Sequence, residues 1–288
     1  MLLTLGVIWG GPFYFYAVAL QELPTFTIVF LRVLIGTAVL WSVALAMGFA
    51  LPRSAEAWRN FFLLGLLNNV IPFSLIVWGQ HQVASGLAAI LNATTPFFTV
   101  LAANALTHDE KLSWNRLFGA VVGLAGVAAM MGADVLAGLG ASLPYQLAIV
   151  GAAINYAFAS IFGRRFAQTP PIITAAGQTT ASATVLLPIV LIVDAPWRLP
   201  VPSTQVILAI IGLAVICTSF AYVLFFTILK RAGATNIVLV TFLVPVSAVI
   251  LGAVLLDERL GPQHAFGGVA IAFGLALIDG RLFTRLRQ

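Results

Sequence analysis

One apolar stretch of this chain carries hydrogen-bonding groups in a pattern that could hold a small polar molecule. In the run at about 84–106, Asn92, Thr95 and Thr99 fall at i, i+3 and i+7, one face of a helix, and Pro96 sits within that stripe. Proline removes a backbone hydrogen bond and leaves the carbonyl four residues earlier, here that of Asn92, unpaired. A freed carbonyl beside an amide side chain is a good partner for an ammonium group. A second apolar run, at about 235–255, places Thr241 four residues before Pro245. Pro96 and Pro245 therefore also read as hinges. The plainer reading of both is helix–helix hydrogen bonding and a passive kink.

The complementary chemistry, a ligand for a carboxylate, has one candidate. Arg32 is the one cation well inside an apolar run, and its guanidinium could grip a carboxylate through two parallel bonds. Snorkelling or bonding to backbone carbonyls is the alternative, and the sequence favours that structural role. Around these groups run aromatic faces with amide tips. Trp9, Phe13 and Tyr16 share one; Asn69, Phe73, Ile76 and Gln80 another; Thr218, Tyr222 and Phe225 a third; Asn155 and Tyr156 mark a fourth run. Such faces suit a zwitterion with a bulky apolar side chain, with cation–π contact helping to hold the ammonium. Trp78 and His81, at the end of the third run, are further candidates, although Trp78 equally suits an interfacial aromatic belt. His81 has no second histidine, cysteine or carboxylate at metal-ligand spacing, so neither a metal nor any other cofactor is expected. Cys217 is the single cysteine and reads as a packed thiol.

The elements that must position these residues are membrane spans. Of 288 residues, 61% are hydrophobic and 8% charged, far from the roughly 25% charge of soluble domains. Apolar runs long enough to cross a bilayer number ten: about 2–20, 26–47, 60–79, 84–106, 116–133, 146–163, 172–193, 205–229, 235–255 and 263–282. Short connections leave no room for a soluble catalytic domain, and the net charge of +5 is explained by its distribution rather than by nucleic acid. With a cytoplasmic amino terminus, eleven lysines and arginines fall in the inner loops and tail and two, Arg198 and Arg259, outside. Both termini are expected in the cytoplasm, the protein multi-pass in an inner membrane and monomeric among its lipids.

Two halves of the chain repeat. Pro96, Asp109-Glu110-Lys111-Leu112 and Phe118-Gly119 recur as Pro245, Asp257-Glu258-Arg259-Leu260 and Phe266-Gly267, at an offset of 149 residues for the prolines and 148 from the acidic box onward. Five spans per half is an odd number, so the halves 1–140 and 141–288 are expected to be inverted about an axis in the membrane plane. That arrangement lets a midplane site face each side in turn. Gly119, Gly123 and Gly126 in span five and Gly267, Gly268 and Gly274 in span ten read as close-packing positions.

Trp9-Gly10, the Pro24 loop, Arg32 and the span-four proline followed by Asp109-Glu110 resemble the EamA domain. The whole chain resembles two such domains in tandem, the ten-span layout of the drug/metabolite transporter superfamily, and within it the YddG-type amino-acid exporters. The resemblance implies an all-α integral membrane fold around a central cavity. It also implies export of amino acids, aromatic ones included, with spans one to four and six to nine lining the path. No carboxylate falls at mid-span and no Walker-type loop exists, so gradient-driven, uncoupled transport is the simplest mechanism. Export of another small metabolite or drug is the runner-up. An intramembrane enzyme is disfavoured, because His81, His108 and His264 all lie at span ends.

Overall fold

A computed structural model of the chain describes residues 2–106, 114–131, 142–225, 239–259 and 261–279. The described residues are helical, with no strand among them. Helix α1 covers Leu2–Ala19, α2 Thr25–Ala46, α3 Ala55–Gly79, α4 Ser85–Leu106, α5 Trp114–Met131, α6 Leu143–Phe166, α7 Pro171–Asp194, α8 Thr204–Phe225, α9 Leu239–Leu255 and α10 Pro262–Asp279. Six of them, α2, α3, α4, α6, α7 and α8, are long and apolar enough to cross a membrane by length and composition. The others contain shorter apolar stretches, Leu3–Ala19, Leu117–Gly126, Leu243–Leu255 and Pro262–Ile278.

Boundaries follow local chemistry. Helix α3 starts ahead of its apolar run because Ser54 caps it, accepting from the Ala57 N–H at 3.0 Å, and Glu56 sits in the first turn. The residues before it turn at Gly48, whose φ of +81° is a left-handed conformation that glycine enters without steric cost. Three helices change pitch along their length. Leu66–Val70 of α3, Val190–Asp194 at the end of α7 and Gly212–Phe220 of α8 are π-helical, each adding a residue to a turn. Helix α4 is broken into Ser85–Asn92 and Thr95–Leu106 by a turn at Ala93 and Thr94, just before Pro96; Pro245 instead lies within the unbroken α9.

Packing pairs helices from opposite halves of the sequence. Helix α5 lies on α10, α2 on α7, α1 on α9 and α4 on α6, while α2 also packs on α8 and α7 on α3. Glycine sets the closest approach. A Cβ at Gly119 would come within 2.6 Å of the Gly274 carbonyl, and one at Gly126 within 2.9 Å of the Gly267 carbonyl. Leucine at position 119 is expected to force α5 from α10, at a cost of about 1–3 kcal/mol or more. The folded fraction of Gly119→Leu in detergent, read by size-exclusion chromatography, should fall well below that of Gly163→Leu. Among the described residues, no atom beyond its own chain neighbours and helix backbone lies within 4 Å of a Cβ at Gly163. Equal yields would show the glycine contact to be dispensable.

One face of the bundle is fastened by three carboxylates that reach between the halves. Asp194 accepts from the Thr27 N–H at 2.6 Å and the Thr27 hydroxyl at 2.8 Å, at the start of α2. Glu258 accepts from the Ser85 N–H at 2.7 Å, the Ser85 hydroxyl at 2.8 Å and the Gly86 N–H at 3.0 Å, at the start of α4. Glu22 accepts from the Ser203 N–H at 2.6 Å, just before α8. Carboxylates are favoured at helix starts because unpaired N–H groups and the positive end of the dipole meet there.

Hydrogen bonds from Ser203, its side chain first and then its backbone, hold the Glu22 carboxyl below the ordinary glutamate range. A depressed folded-state value means the contact contributes above the unfolded value and is lost as pH falls through the folded one. Acidifying past the ordinary glutamate value of about 4.3 should therefore free the start of α8. Amide hydrogen exchange around Ser203 should accelerate there, corrected for intrinsic rate, in wild type but not in Glu22→Gln.

Candidate functional site

Between the halves lies a cavity of about 850 Å³. Its closed end is walled by Tyr16, Phe73 and Ile76, all buried, and its other end reaches exposed Arg164 and Ala167, where α6 ends and the turn to α7 begins. Helix α1 contributes Trp9, Pro12 and Phe13, and Trp9 packs on Phe225 of α8 with ring centroids 5.3 Å apart. Helix α4 contributes Asn92, Thr95 and Pro96 where it breaks; α6 contributes Tyr156; α8 contributes Cys217 and Tyr222. Most of the wall is apolar and aromatic, with a few convergent polar groups, the usual make-up of a small-molecule site.

The buried charged group of this cavity is Arg32, 6% exposed. Its Nε donates to the Thr218 hydroxyl at 2.9 Å, one terminal nitrogen donates to the Tyr16 hydroxyl, and the guanidinium lies over the Phe73 ring at 3.7 Å from its centroid. Thr218 in turn donates to the Leu213 carbonyl at 2.9 Å, five residues back, a bond the π-turn of α8 allows. Every fixed partner of Arg32 among the described residues is thus neutral. Burying a charge with no counter-ion is costly, so such residues in a membrane mark a pathway or site.

Polar groups from three helices meet nearby. The Asn68 amide donates to the Gln178 side-chain carbonyl at 3.1 Å and, at 3.5 Å, to the Tyr222 hydroxyl. On α4 the side-chain oxygen of Asn92 is buried without a hydrogen-bond partner among the described residues, as is the Thr174 hydroxyl on α7. The backbone carbonyl of Asn92, expected to stand free because of Pro96, is taken by the Thr95 hydroxyl at 2.8 Å. Thr99 likewise bonds to the Thr95 carbonyl at 2.9 Å. What Asn92 offers a ligand is therefore its side chain.

Several expected members of the site lie elsewhere. Asn69 is fully buried between α3 and α7, where its amide donates to the Ser182 hydroxyl at 3.0 Å. The expected face ran through Asn69 at α-helical spacing. The π-turn at Leu66–Val70 shifts that spacing by one residue, and Asn68 lines the cavity instead. Trp78 packs on Tyr145 in a tilted ring pair with centroids 4.6 Å apart, and His81 pairs with the Thr25 hydroxyl at 3.1 Å. Both line a separate, smaller hollow near the fastened face, because α3 has turned them away from the central cavity beyond Ile76. Asn155 satisfies itself on the Gly151 carbonyl at 2.9 Å, one turn back. The side chain of Thr241 lies outside the described residues, as do Asp109 and Glu110; one turn on, Val244 lines the cavity. Asn68, Thr174 and Gln178 were not anticipated. Gln178 had a signal, since it occupies the place of Arg32 in the second half.

Residues 1–132 and 143–279 match the sequence model of the EamA-like transporter family. The uncharacterized transporter YoaV of Bacillus subtilis is 23% identical, over 95% of this chain and 94% of its own. The uncharacterized inner membrane transporter YedA of Escherichia coli is 26% identical, over 96% and 89%. An Escherichia coli protein named "Probable amino-acid metabolite efflux pump" is 26% identical, over 93% and 90%. A solved crystal structure superposes on 99% of this chain and 97% of its own with a TM-score of 0.70 at 21% identity, a likeness of fold alone.

Proposed function

We infer the activity from one premise: this chain belongs to the EamA-like transporter family. The reading that fits its cavity is export of amino acids, large apolar and aromatic ones included, across an inner membrane. One observation carries it. A buried guanidinium with only neutral fixed partners shares a cavity with an unpartnered amide oxygen, so the wall offers a donor for a carboxylate and an acceptor for an ammonium. The rings of Trp9, Phe13, Tyr156 and Tyr222 provide apolar surface for a side chain. Kinship with the amino-acid metabolite efflux protein supports the same substrate class.

Transport proceeds by alternating access between two inverted halves, 1–140 and 141–288, each of five helices, and both ends of the whole chain lie in the cytoplasm. The exchange symmetry of the packing supports this: α1 on α9 mirrors α6 on α4, and α2 on α8 mirrors α7 on α3. Two of the three π-turns support it too, because Leu66–Val70 shifted by 149 residues falls within Gly212–Phe220. Residues at the open end, in the α6–α7 turn, lie on the cytoplasmic side of that topology. A cationic drug would find no carboxylate among the described residues of this wall.

Thermal unfolding with ligands tests the site without any transport assay. Phenylalanine should raise the melting temperature, since a ligand that binds only the folded state stabilises it. Phenylethylamine, which lacks the carboxylate, should do so far less at equal concentration. Equal shifts, or a shift with the amine alone, would overturn the carboxylate reading of Arg32.

A further inference from the structure

We propose that Glu258, Asp194 and Glu22 are the gate that closes this carrier on the face opposite the cavity mouth, with Glu258 its principal latch. The proposal rests on the alternating-access reading above. In that mechanism one face must be held shut by contacts between the halves that break when the carrier reopens. These carboxylates make such contacts. Asp194 and Glu258 belong to the second half and hold the starts of α2 and α4 in the first, while Glu22 belongs to the first and holds the chain entering α8 in the second. All act beyond the closed end of the cavity, so their release separates helices that wall it.

The local backbone is built around two of these contacts. Asp257 ends α9 with φ +54°, and the Glu258 N–H returns to the Gly252 carbonyl at 3.1 Å. That closure of the helix end turns the Glu258 side chain towards α4. Gly252 is small for a reason: a Cβ there would collide with the Glu258 carboxylate and the Ser85 hydroxyl. After Asp194, Ala195 likewise adopts φ +46°, and its N–H bonds to the Val190 carbonyl at 3.0 Å. Residues other than glycine are uncommon in that conformation, and such strain collects at switches. The carboxylates take up N–H groups that a helix start leaves unpaired, and water can take over as partner when they part. A latch of this kind is firm but opens without stranding a buried charge. It also gives the second copy of the repeated acidic box, Asp257-Glu258, a task that substrate binding does not.

Accessibility of one cysteine from each side tests the gate and needs no knowledge of the substrate. Cys217→Ala with Ala93→Cys leaves a single thiol on the cavity wall, and oriented vesicles present either face to a membrane-impermeant maleimide. With the latches intact, labelling should be fast from the cavity mouth and slow from the fastened face. Glu258→Gln should raise labelling from the fastened face about tenfold, the expected effect of weakening charge-assisted bonds. Ser85→Ala, which removes one of the three donors, should raise it by about two- to threefold. Wild-type labelling from the mouth side certifies that each variant is folded; if Glu258→Gln fails that check, Ser85→Ala decides. Unchanged labelling from the fastened face in the folded variants would overturn the gate. So would fast labelling from that face with the latches intact. Neither result would touch the amino-acid reading, which the phenylalanine measurement tests separately.

Discussion

Arg32→Gln should lower transport of α-amino acids by on the order of a hundredfold while the protein still folds and inserts. Losing one partner of a buried, hydrogen-bonded charge pair costs about 2–5 kcal/mol, and each 1.4 kcal/mol is tenfold. Glutamine is the informative replacement because its amide can still donate to Thr218 or Tyr16, the neutral partners that hold the guanidinium. Arg32→Lys should recover only part of the loss, since an ammonium is a point charge without the planar fork that engages both carboxylate oxygens. The diagnostic readout is the comparison with a decarboxylated amine. If Arg32 binds the carboxylate, entry of phenylethylamine into proteoliposomes should be indifferent to Arg32→Gln or improved by it. If Arg32 is only an anchor between α2 and α8, both solutes should suffer alike.

Asn92→Ala should depress transport of every amino acid together, by roughly ten- to a hundredfold, the scale of one hydrogen bond to a charged group. Its side-chain oxygen is a buried acceptor on the cavity wall without a partner among the described residues, so the group it awaits is one shared by all the substrates. Trp9→Ala and Tyr222→Ala should instead reorder the substrates. An apolar wall discriminates by only about 1–3 kcal/mol per methylene, so a larger pocket penalises aromatic side chains and spares small ones. Rates for a panel of labelled amino acids separate the two patterns. A change in ranking with Asn92→Ala, or a uniform loss with Trp9→Ala, would reverse the assignments.

Much of the bundle was legible because membrane helices are written in long apolar runs with few charges. The start of α3 was misplaced for a local reason: Ser54 and Glu56 form a capping turn that extends the helix beyond its apolar stretch. The cavity wall was legible where α-helical spacing holds, as along α1 with Trp9 and Phe13. It was misread where a π-turn intervenes, and Asn68 replaced Asn69 because one added residue rotates the face. Spacing could find Asn92, but not the Thr95 hydroxyl that takes its carbonyl. The gate was out of reach of any local pattern, since Ser85 and Glu258 are 173 residues apart and meet only through the packing of α4 on α9.

On the proposed reading, this chain carries amino acids down their own gradient. Counterflow of radiolabelled phenylalanine in liposomes bearing the purified protein tests it most directly, with pH and sodium equal on both sides. Excess unlabelled phenylalanine or leucine inside should drive transient accumulation of label, and phenylethylamine inside should drive little. Accumulation that appears only with an imposed proton or sodium gradient, or that the amine drives as well as the amino acid, would contradict the account.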